Sequence, residues 1–519
     1  MLDVPPRQRC AARRLPPWRG RSATEGERSG DQAVGGSAGA CAQAAVAVVR
    51  EIGDWRLAIG DGHRPSHSPI SHLSFKSIVV NKRLLRLSLF QLGLGFSVVV
   101  FNGALNRVLI AEEGIPAGIV GWLLSLGLFV APVRALMGFR SDKEKKTFGY
   151  RRLPYAWYGT MLVFCGLSAA PFSLLLLSKA SQLNSDVPFP VAVFFCTLIF
   201  LLYAVGTHVG QTGYLALVTD LTPKHERSRA MALLWIALIT GQIISSFVIG
   251  FFLQDFHPMK LIQVMQSASV IFLVLAVAAI WKQDRPVELE DDAEDFSSRI
   301  WTVLGTHKMR LFFAILFFGT LGLAAQDVLL EPYGGQVLGM SVAETTRLTA
   351  MWGIGMLIAM LIAWQVIPRL DSPIPVAFAA CLVGLTGFGL ITMASANHSV
   401  AMFIGGTGVI GLAGGLFLIS TLSLVVSLAD IKTAGMYVGM WGLAQTSAAG
   451  LAALAGSNLR DVVSRITGDL ARGYTTVYAV EMVLIAVTLA LLIAMPREAF
   501  VTREKGRSAF AGLTDVPGA

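Results

Sequence analysis

Charged side chains are scarce in this chain. Only 14% of its 519 residues are Asp, Glu, Lys or Arg, whereas 54% are hydrophobic and the mean hydropathy is +0.62. Soluble domains carry about a quarter of charged residues, because their exterior faces water. A bilayer instead requires an apolar exterior. The composition therefore excludes an ordinary soluble protein and predicts an integral membrane protein.

Cysteine is also sparse, and its placement excludes two further classes. Cys165, Cys196 and Cys381 fall in apolar runs, Cys10 and Cys41 lie in a polar N-terminal stretch, and no Cys-x-x-Cys pair occurs. Neither a disulfide framework nor a zinc site is supported. The net charge of +9 comes from basic residues in short clusters between apolar runs. Such clusters orient a protein in the membrane rather than bind nucleic acid.

Apolar runs of about 20 residues recur along most of the chain, as a 30 Å hydrocarbon core requires at 1.5 Å per helical residue. They predict an all-α integral membrane protein with twelve transmembrane helices, at 87–111, 117–138, 154–178, 189–215, 229–253, 260–281, 310–330, 344–367, 374–394, 399–428, 433–456 and 475–495. The polar segments on the same side of the membrane as the N-terminus carry more Lys and Arg than those on the opposite side. This bias predicts that both termini are cytoplasmic.

The polar segments also divide the chain. Residues 1–75 are rich in Arg, Pro, Gly and Ser and are predicted to be a disordered basic extension, either a cytoplasmic tail or an over-extended start, with a transit peptide less favoured. An acidic cytoplasmic linker, 282–309, separates a six-helix half at 76–281 from a second at 310–496, and 497–519 form a tail. Trp235 and Trp441 occupy matching junctions of the two halves, as parallel six-helix repeats would place them.

The loop after the second predicted helix reads Gly138-Phe-Arg140-Ser-Asp142 and then Gly149-Tyr-Arg151-Arg152. It resembles the signature of the major facilitator superfamily, in which this loop helps to gate the cytoplasmic face. The resemblance assigns a cytoplasmic gate to Gly138, Asp142, Arg151, Arg152, Asp220 and Arg229.

A closer resemblance, over residues 84–496, is to the PucC/LhaA family. Five stretches carry it: Asn106–Val108, Arg134–Asp142, His208–Leu221, Gln326–Gly335 and Gly439–Gly450. This branch of the superfamily delivers bacteriochlorophyll and assists light-harvesting complex assembly. The resemblance implies a major-facilitator-like, non-enzymatic assembly factor in a bacterial inner membrane, cytoplasmic or intracytoplasmic. Its implied partners are antenna polypeptides, bacteriochlorophyll as a bound ligand and, as a further candidate, the pigment's synthase.

His208 is the leading candidate for pigment contact. It lies within an apolar run, and neutral imidazole is a common metal ligand that could bind the magnesium of a chlorin. Gly206 and Gly210 would let a flat macrocycle or another helix approach, while Gln211 and Thr212 could bond a ring carbonyl or orient the imidazole. The alternative is that His208 only bonds a neighbouring helix.

Intramembrane polar residues form a second candidate site. Asn102, Asn106 and Arg107 give the first helix a polar stripe that should face the bundle interior, and the two asparagines are further pigment-binding candidates. Asp327 and Glu331 stand one helical turn apart and could bind a proton, with Arg107 or Arg347 as cationic partners. The alternative places Glu331 at the interface, where the following Pro-Gly run merely ends the helix.

Two other functions were weighed against pigment delivery. A secondary transporter of a tetrapyrrole or other small amphiphile would use the gate signature and alternating access between the halves. A prenyl transferase would need magnesium held by two aspartate-rich motifs. The chain offers Asp291-x3-Asp295 in the linker without a second copy, so the sequence disfavours an enzyme. The glycine-rich tenth helix is compatible with close helix packing or with a widened cleft.

Overall fold

The computed structural model describes residues 82–143, 152–181, 187–223, 227–283, 306–370, 372–428 and 434–495. The predicted N-terminal extension, most of the linker and the C-terminal tail lie outside these ranges. The described regular structure is helical and contains twelve long helices: α1 Lys82–Glu112, α2 Ala117–Lys143, α3 Leu153–Ser181, α4 Phe189–Leu221, α5 Arg227–Phe252, α6 Pro258–Ile280, α7 His307–Gln336, α8 Val342–Val366, α9 Ile374–Ala396, α10 Val400–Leu428, α11 Ala434–Thr467 and α12 Leu470–Ile493.

The predicted all-α membrane fold is confirmed. Ten helices in the described ranges are long and apolar enough to cross a membrane, and α2 adds a shorter apolar segment, Ala117–Val130. The sequence placed Arg460 and Arg465 in a loop after residue 456, but both lie in α11, which continues to Thr467. The helix ends only where Gly468 adopts a φ of +69°, a conformation that glycine accepts without strain.

The helices pack in a pattern that occurs twice. In the first set α1 packs on α5 and α6, α4 on α2 and α3, and α3 on α6. In the second set α7 packs on α11 and α12, α10 on α8 and α9, and α9 on α12. The two sets meet through α2 with α11 and α5 with α8. A twofold repeat of six helices explains this correspondence, although the predicted domain limits themselves stay a prediction.

Glycines bring the backbones together at the helix contacts. A Cβ atom on Gly159 of α3 would lie 2.1 Å from Gly210 Cα of α4. A Cβ atom on Gly411 of α10 would lie 2.1 Å from the carbonyl oxygen of Trp352 on α8. The glycine-rich tenth helix therefore serves close helix packing at this position, one of the two interpretations that the sequence left open.

Two helices are irregular within their membrane-spanning lengths. The second part of α1 is π-helical at Val99–Leu105 and again at Val108–Glu112. Helix α7 consists of two segments, His307–Ala324 and Gln326–Gln336, with a break at Ala325. Because π-segments and breaks leave backbone groups without their usual partners, they often mark functional positions. The candidate site lies where these two helices meet.

Candidate functional site

The irregular part of α1 is bonded to α7 by a side chain. The Nδ2 atom of Asn106 donates a hydrogen bond of 2.7 Å to the carbonyl oxygen of Val328. Pro332 lies four residues after Val328 and inside the second segment of α7. Since proline has no N–H to offer the carbonyl four residues before it, Val328 has a free acceptor that Asn106 uses. The sequence placed Asn106 correctly in the bundle interior, and the structure gives it this backbone partner.

Glu331 is enclosed between three helices. Its side chain is 4% exposed and its Oε1 atom accepts a hydrogen bond of 2.7 Å from Thr349 Oγ1 on α8. On the α1 side it contacts Gly103, where an added Cβ atom would lie 2.6 Å from Oε1. The interpretation that the Pro-Gly run ends the helix is wrong, whereas the depth of Glu331 in the membrane stays a prediction. Helix α7 continues through Pro332 to Gln336, because Asn106 satisfies the carbonyl that the proline leaves free.

Arg107 is buried beside this carboxylate. It is 3% exposed, its Nη1 atom lies 3.0 Å from Glu112 Oε1, and its Nη2 atom donates to the carbonyl oxygen of Met340 over 3.2 Å. The guanidinium rests on Gly335, where a Cβ atom would lie 2.0 Å from Nη2. Arg107 is close enough to Glu331 to interact electrostatically, but its ion pair is with Glu112.

The other proposed partner, Arg347, is placed elsewhere. It packs against α5 at Gly250, where an added Cβ atom would lie 3.0 Å from Arg347 Cγ. Asp327 forms an ion pair with neither arginine, and its Oδ1 atom accepts a hydrogen bond from Gln326 Nε2. Asp327 is surrounded by protein yet keeps solvent-accessible surface, as does Asn102. The two carboxylates of α7 therefore differ, since Asp327 keeps accessible surface and Glu331 is buried.

A polar network connects the two helix sets at one end of their contact. Gln336 of α7 donates to the carbonyl oxygen of Ile110 on α1 over 3.0 Å, and Tyr474 of α12 donates to Gln336 Oε1 over 2.7 Å. Asp461 of α11 accepts from the backbone N–H of Gly118 on α2 over 2.8 Å. These bonds tie α1 and α2 to α7, α11 and α12.

Arg460 connects the two parts of this network. It pairs with Asp461 over 2.6 Å, donates to Gln336 and Tyr474, and lies 4.7 Å from the centre of the Tyr474 ring. The sequence alone does not reveal this cluster, because the eleventh apolar run ends at residue 456, before Arg460. A charged residue next to an apolar run predicts a loop, whereas Arg460 lies in α11 and contacts Gln336 and Tyr474 on other helices.

His208 is half-buried on α4 and faces α2. Its Nε2 atom lies 3.4 Å from the position of a Cβ atom on Gly127, and Thr212 Oγ1 donates to the His208 carbonyl oxygen over 2.7 Å. Gly206 and Gly210 contact the backbone of α3, so another helix rather than a macrocycle uses the space beside them. Gln211 is half-buried. In this arrangement Nε2 lies beside Gly127 of α2.

One pair of the predicted cytoplasmic gate is formed. Arg152, which is buried at the start of α3, lies with Nε 3.2 Å from Asp220 Oδ2 near the end of α4. The described part of the chain does not include Arg151, the side chains of Asp142 and Arg229, or the surroundings of Gly138. Among the residues that are described, no three His, Cys, Asp or Glu side chains converge as a metal site.

The fold defines a multi-pass membrane protein with a transporter-like architecture. Two solved structures share this fold. The nucleoside transporter NupG has a TM-score of 0.60 at 14% identity, covering 80% of this chain and 98% of that one. A D-xylose-proton symporter has a TM-score of 0.58 at 15% identity, covering 80% and 98%. At such identities the likeness concerns the fold alone.

The chain belongs to the PucC family: residues 104–500 match the family described as PUCC protein. Protein PucC of Rhodovulum sulfidophilum is 40% identical over 389 residues, which are 73% of this chain and 85% of the relative. A Rhodobacter capsulatus protein of the puhA-bchM intergenic region is 38% identical over 84% of this chain and 94% of its own length. The bacteriochlorophyll synthase 44.5 kDa chain of Rhodobacter capsulatus is 27% identical over 78% and 93%. The predicted family is confirmed.

Proposed function

We propose that this protein is a non-enzymatic membrane assembly factor that binds or delivers bacteriochlorophyll to light-harvesting antenna polypeptides. The family supports the proposal, as does a relative whose name places it with bacteriochlorophyll synthase. The same relationship supports the synthase as a second partner. We expect the protein in a bacterial inner membrane with both termini cytoplasmic.

The central polar side chains support a mostly apolar cargo, because few of their atoms are free. Asn106 donates to Val328, Glu331 accepts from Thr349, and Arg107 binds Glu112 and Met340, which leaves Asn106 Oδ1, Glu331 Oε2 and Arg107 Nε without a hydrogen-bond partner among the described residues. A route for a sugar or an ion would need a longer series of free polar groups to replace the water shell of its solute. A large, mostly apolar ligand such as a chlorin needs only a few polar contacts.

His208 and its neighbours are proposed to contact the pigment in a second arrangement of the helices. Because Gly127 of α2 lies beside Nε2, we expect α2 and α4 to separate there when the imidazole accepts a ligand. When bound, the pigment would supply the magnesium for which a neutral imidazole is a suitable ligand. Gln211 and Thr212 would then be available on the same helix, and Asn102 from an exposed position of α1.

The absorption spectrum of the gently purified protein from a pigment-producing cell tests this function. We expect a stoichiometric near-infrared band, and reduced retention of pigment in His208→Ala and His208→Leu. His307→Ala is the control, since His307 is exposed at the start of α7. A protein that assists antenna assembly without ever retaining pigment would contradict pigment binding. Undiminished retention in both His208 variants would refute the role of His208.

A secondary transporter of a tetrapyrrole or small amphiphile is the alternative function. The network of Arg460, Asp461 and Gln336 favours it, because it ties the two helix sets at one end, as alternating access requires. The Arg152–Asp220 pair, with Gly138, Asp142, Arg151 and Arg229, would form the gate at the other end. Gradient-driven flux in proteoliposomes would favour transport. Co-purified pigment without flux would favour assembly.

A further inference from the structure

Helix α12 carries a carboxylate in the interior of the second helix set. Glu481 is 1% exposed and lies about the middle of α12. Its Oε1 atom accepts a hydrogen bond of 2.8 Å from the backbone N–H of Gln326, the first residue after the break in α7. The first N–H groups of a helix lack intrahelical partners, so Glu481 satisfies a group that the break exposes.

Asp327 places a second carboxylate near Glu481, close enough for the two to repel. None of the described basic side chains forms an ion pair with either of them. The nearest charged cluster on α11, around Arg460, contacts Tyr474, which lies seven residues or about 10 Å along α12 from Glu481. Two neighbouring carboxylates in a membrane interior require neutralisation.

The other titratable groups facing this part of α12 are neutral ones. Tyr478 lies one turn before Glu481, and its ring contacts Tyr333 of α7 with centroids 5.5 Å apart. Tyr474 contacts the same Tyr333 ring. Helix α9 packs on Tyr478 through Phe388, and Cys381 is the titratable side chain that it contributes. These neighbours supply hydroxyl and thiol groups and no positive charge.

Three buried polar atoms around the two carboxylates have no hydrogen-bond partner. They are Glu481 Oε2, Tyr478 Oη and Gln326 Oε1, and each belongs to a residue that is at most 1% exposed. An unpaired buried polar atom is costly, and a group of them indicates a missing donor or ion. A proton on Glu481 Oε2 would create an O–H donor for this cluster and would remove one of the two negative charges.

We propose that Glu481, with Asp327, Gln326 and Tyr478, forms a proton-binding site of this protein. Asp327 keeps accessible surface whereas Glu481 is buried, and the Gln326 side chain donates to Asp327 while its backbone N–H donates to Glu481. A proton enters at the accessible Asp327 and binds a carboxylate oxygen of Glu481, where it supplies a donor for the unpaired atoms. The site adjoins the break in α7, so its occupancy acts on the segment that carries Glu331 and Gln336.

Infrared difference spectra of the full-length protein in lipid, recorded between acidic and alkaline buffers, test this site. In choline chloride we expect the wild type to show a protonated carboxylic acid band that is lost, by the intensity of one carboxyl group, in Glu481→Gln. Glu344→Gln is the control, because Glu344 is an exposed capping residue that accepts from Ser341. This variant should keep the band. Size-exclusion elution and circular dichroism verify that each variant is folded.

One further variant and one change of buffer cation complete the test. Glu481→Asp retains a carboxyl group and should show a shifted band instead of a loss, which covers the case in which Glu481→Gln does not fold. Replacing choline with sodium at constant pH should leave the wild-type band unchanged. A band removed by sodium would identify a sodium site instead, and a wild-type spectrum identical to that of Glu481→Gln would refute the proposal. Neither result depends on whether pigment is bound.

Discussion

Helices α1 and α7 hold equivalent positions in the two helix sets and have different chemistry. Each packs on the fifth and sixth helices of its own set, and each is irregular in its second part. Their polar residues differ, since α1 contributes Asn106 and Arg107 whereas α7 contributes Asp327 and Glu331. The comparison shows that a repeat can keep its packing while its two copies acquire complementary side chains. The candidate site arises from that complementarity.

The largest effect should come from removing the cation of this contact. Arg107→Ala should lower the free energy of unfolding by about 3 kcal/mol, because the buried Glu331 loses a nearby positive charge and the Met340 carbonyl loses its donor, while Glu112 is 39% exposed and contributes less. Denaturant or thermal unfolding of the detergent-solubilised protein measures it.

A matched surface pair provides the control for Arg107. Arg472→Ala breaks the exposed pair with Asp469, whose atoms are 3.3 Å apart, and should cost less than about 1 kcal/mol. The double variant Arg107→Met with Glu331→Gln should recover part of the stability that Arg107→Ala loses. Equal costs for Arg107→Ala and Arg472→Ala would show that the α1–α7 charges do not stabilise the fold.

A smaller effect should come from the close helix contacts inside each set. Gly159→Ala on α3 and Gly411→Ala on α10 should each cost about 1–3 kcal/mol, because the new Cβ atom would overlap the backbone of the adjacent helix. The same unfolding measurement applies.

Gly389→Ala is the control for both glycines, since a Cβ atom there meets no atom within 4 Å. It should be neutral or slightly stabilising, because alanine favours helix over glycine. If Gly159→Ala and Gly411→Ala behaved like this control, the close approach of the backbones would be disproved. A loss in only one of them would show that close backbone approach limits only that helix pair.

The smallest effect concerns the bond between Asn106 and Val328. Asn106→Leu should cost about 1 kcal/mol, because the carbonyl that Pro332 leaves free would lose its donor. Adding Pro332→Ala supplies a backbone N–H for the same carbonyl and should recover the loss. A double variant no more stable than Asn106→Leu in the unfolding assay would argue that Asn106 does not compensate for the proline.

The sequence predicted much of the polar centre, and the reasons for its failures are physical. The helical spacing of Asp327 and Glu331 was clear, but whether water reaches a side chain depends on the helices around it. Asp327 is accessible and Glu331 is enclosed by α1 and α8. Glu481 was not singled out, although a carboxylate inside an apolar run is a recognisable signal. Its partner Gln326 is 155 residues away along the chain.

The amino-acid sequence by itself determined that this chain enters a membrane as repeated helices and belongs to the PucC family. Runs of apolar residues and the lack of charge suffice for the membrane helices, because each span satisfies its own backbone hydrogen bonds in lipid. The five motif stretches carry the family. Only the tertiary structure decided that Arg107 pairs with Glu112, that Asn106 compensates Pro332 and that Glu481 meets the break in α7. These are contacts between distant segments, and their energies depend on which buried groups the packing brings within a few ångströms of each other.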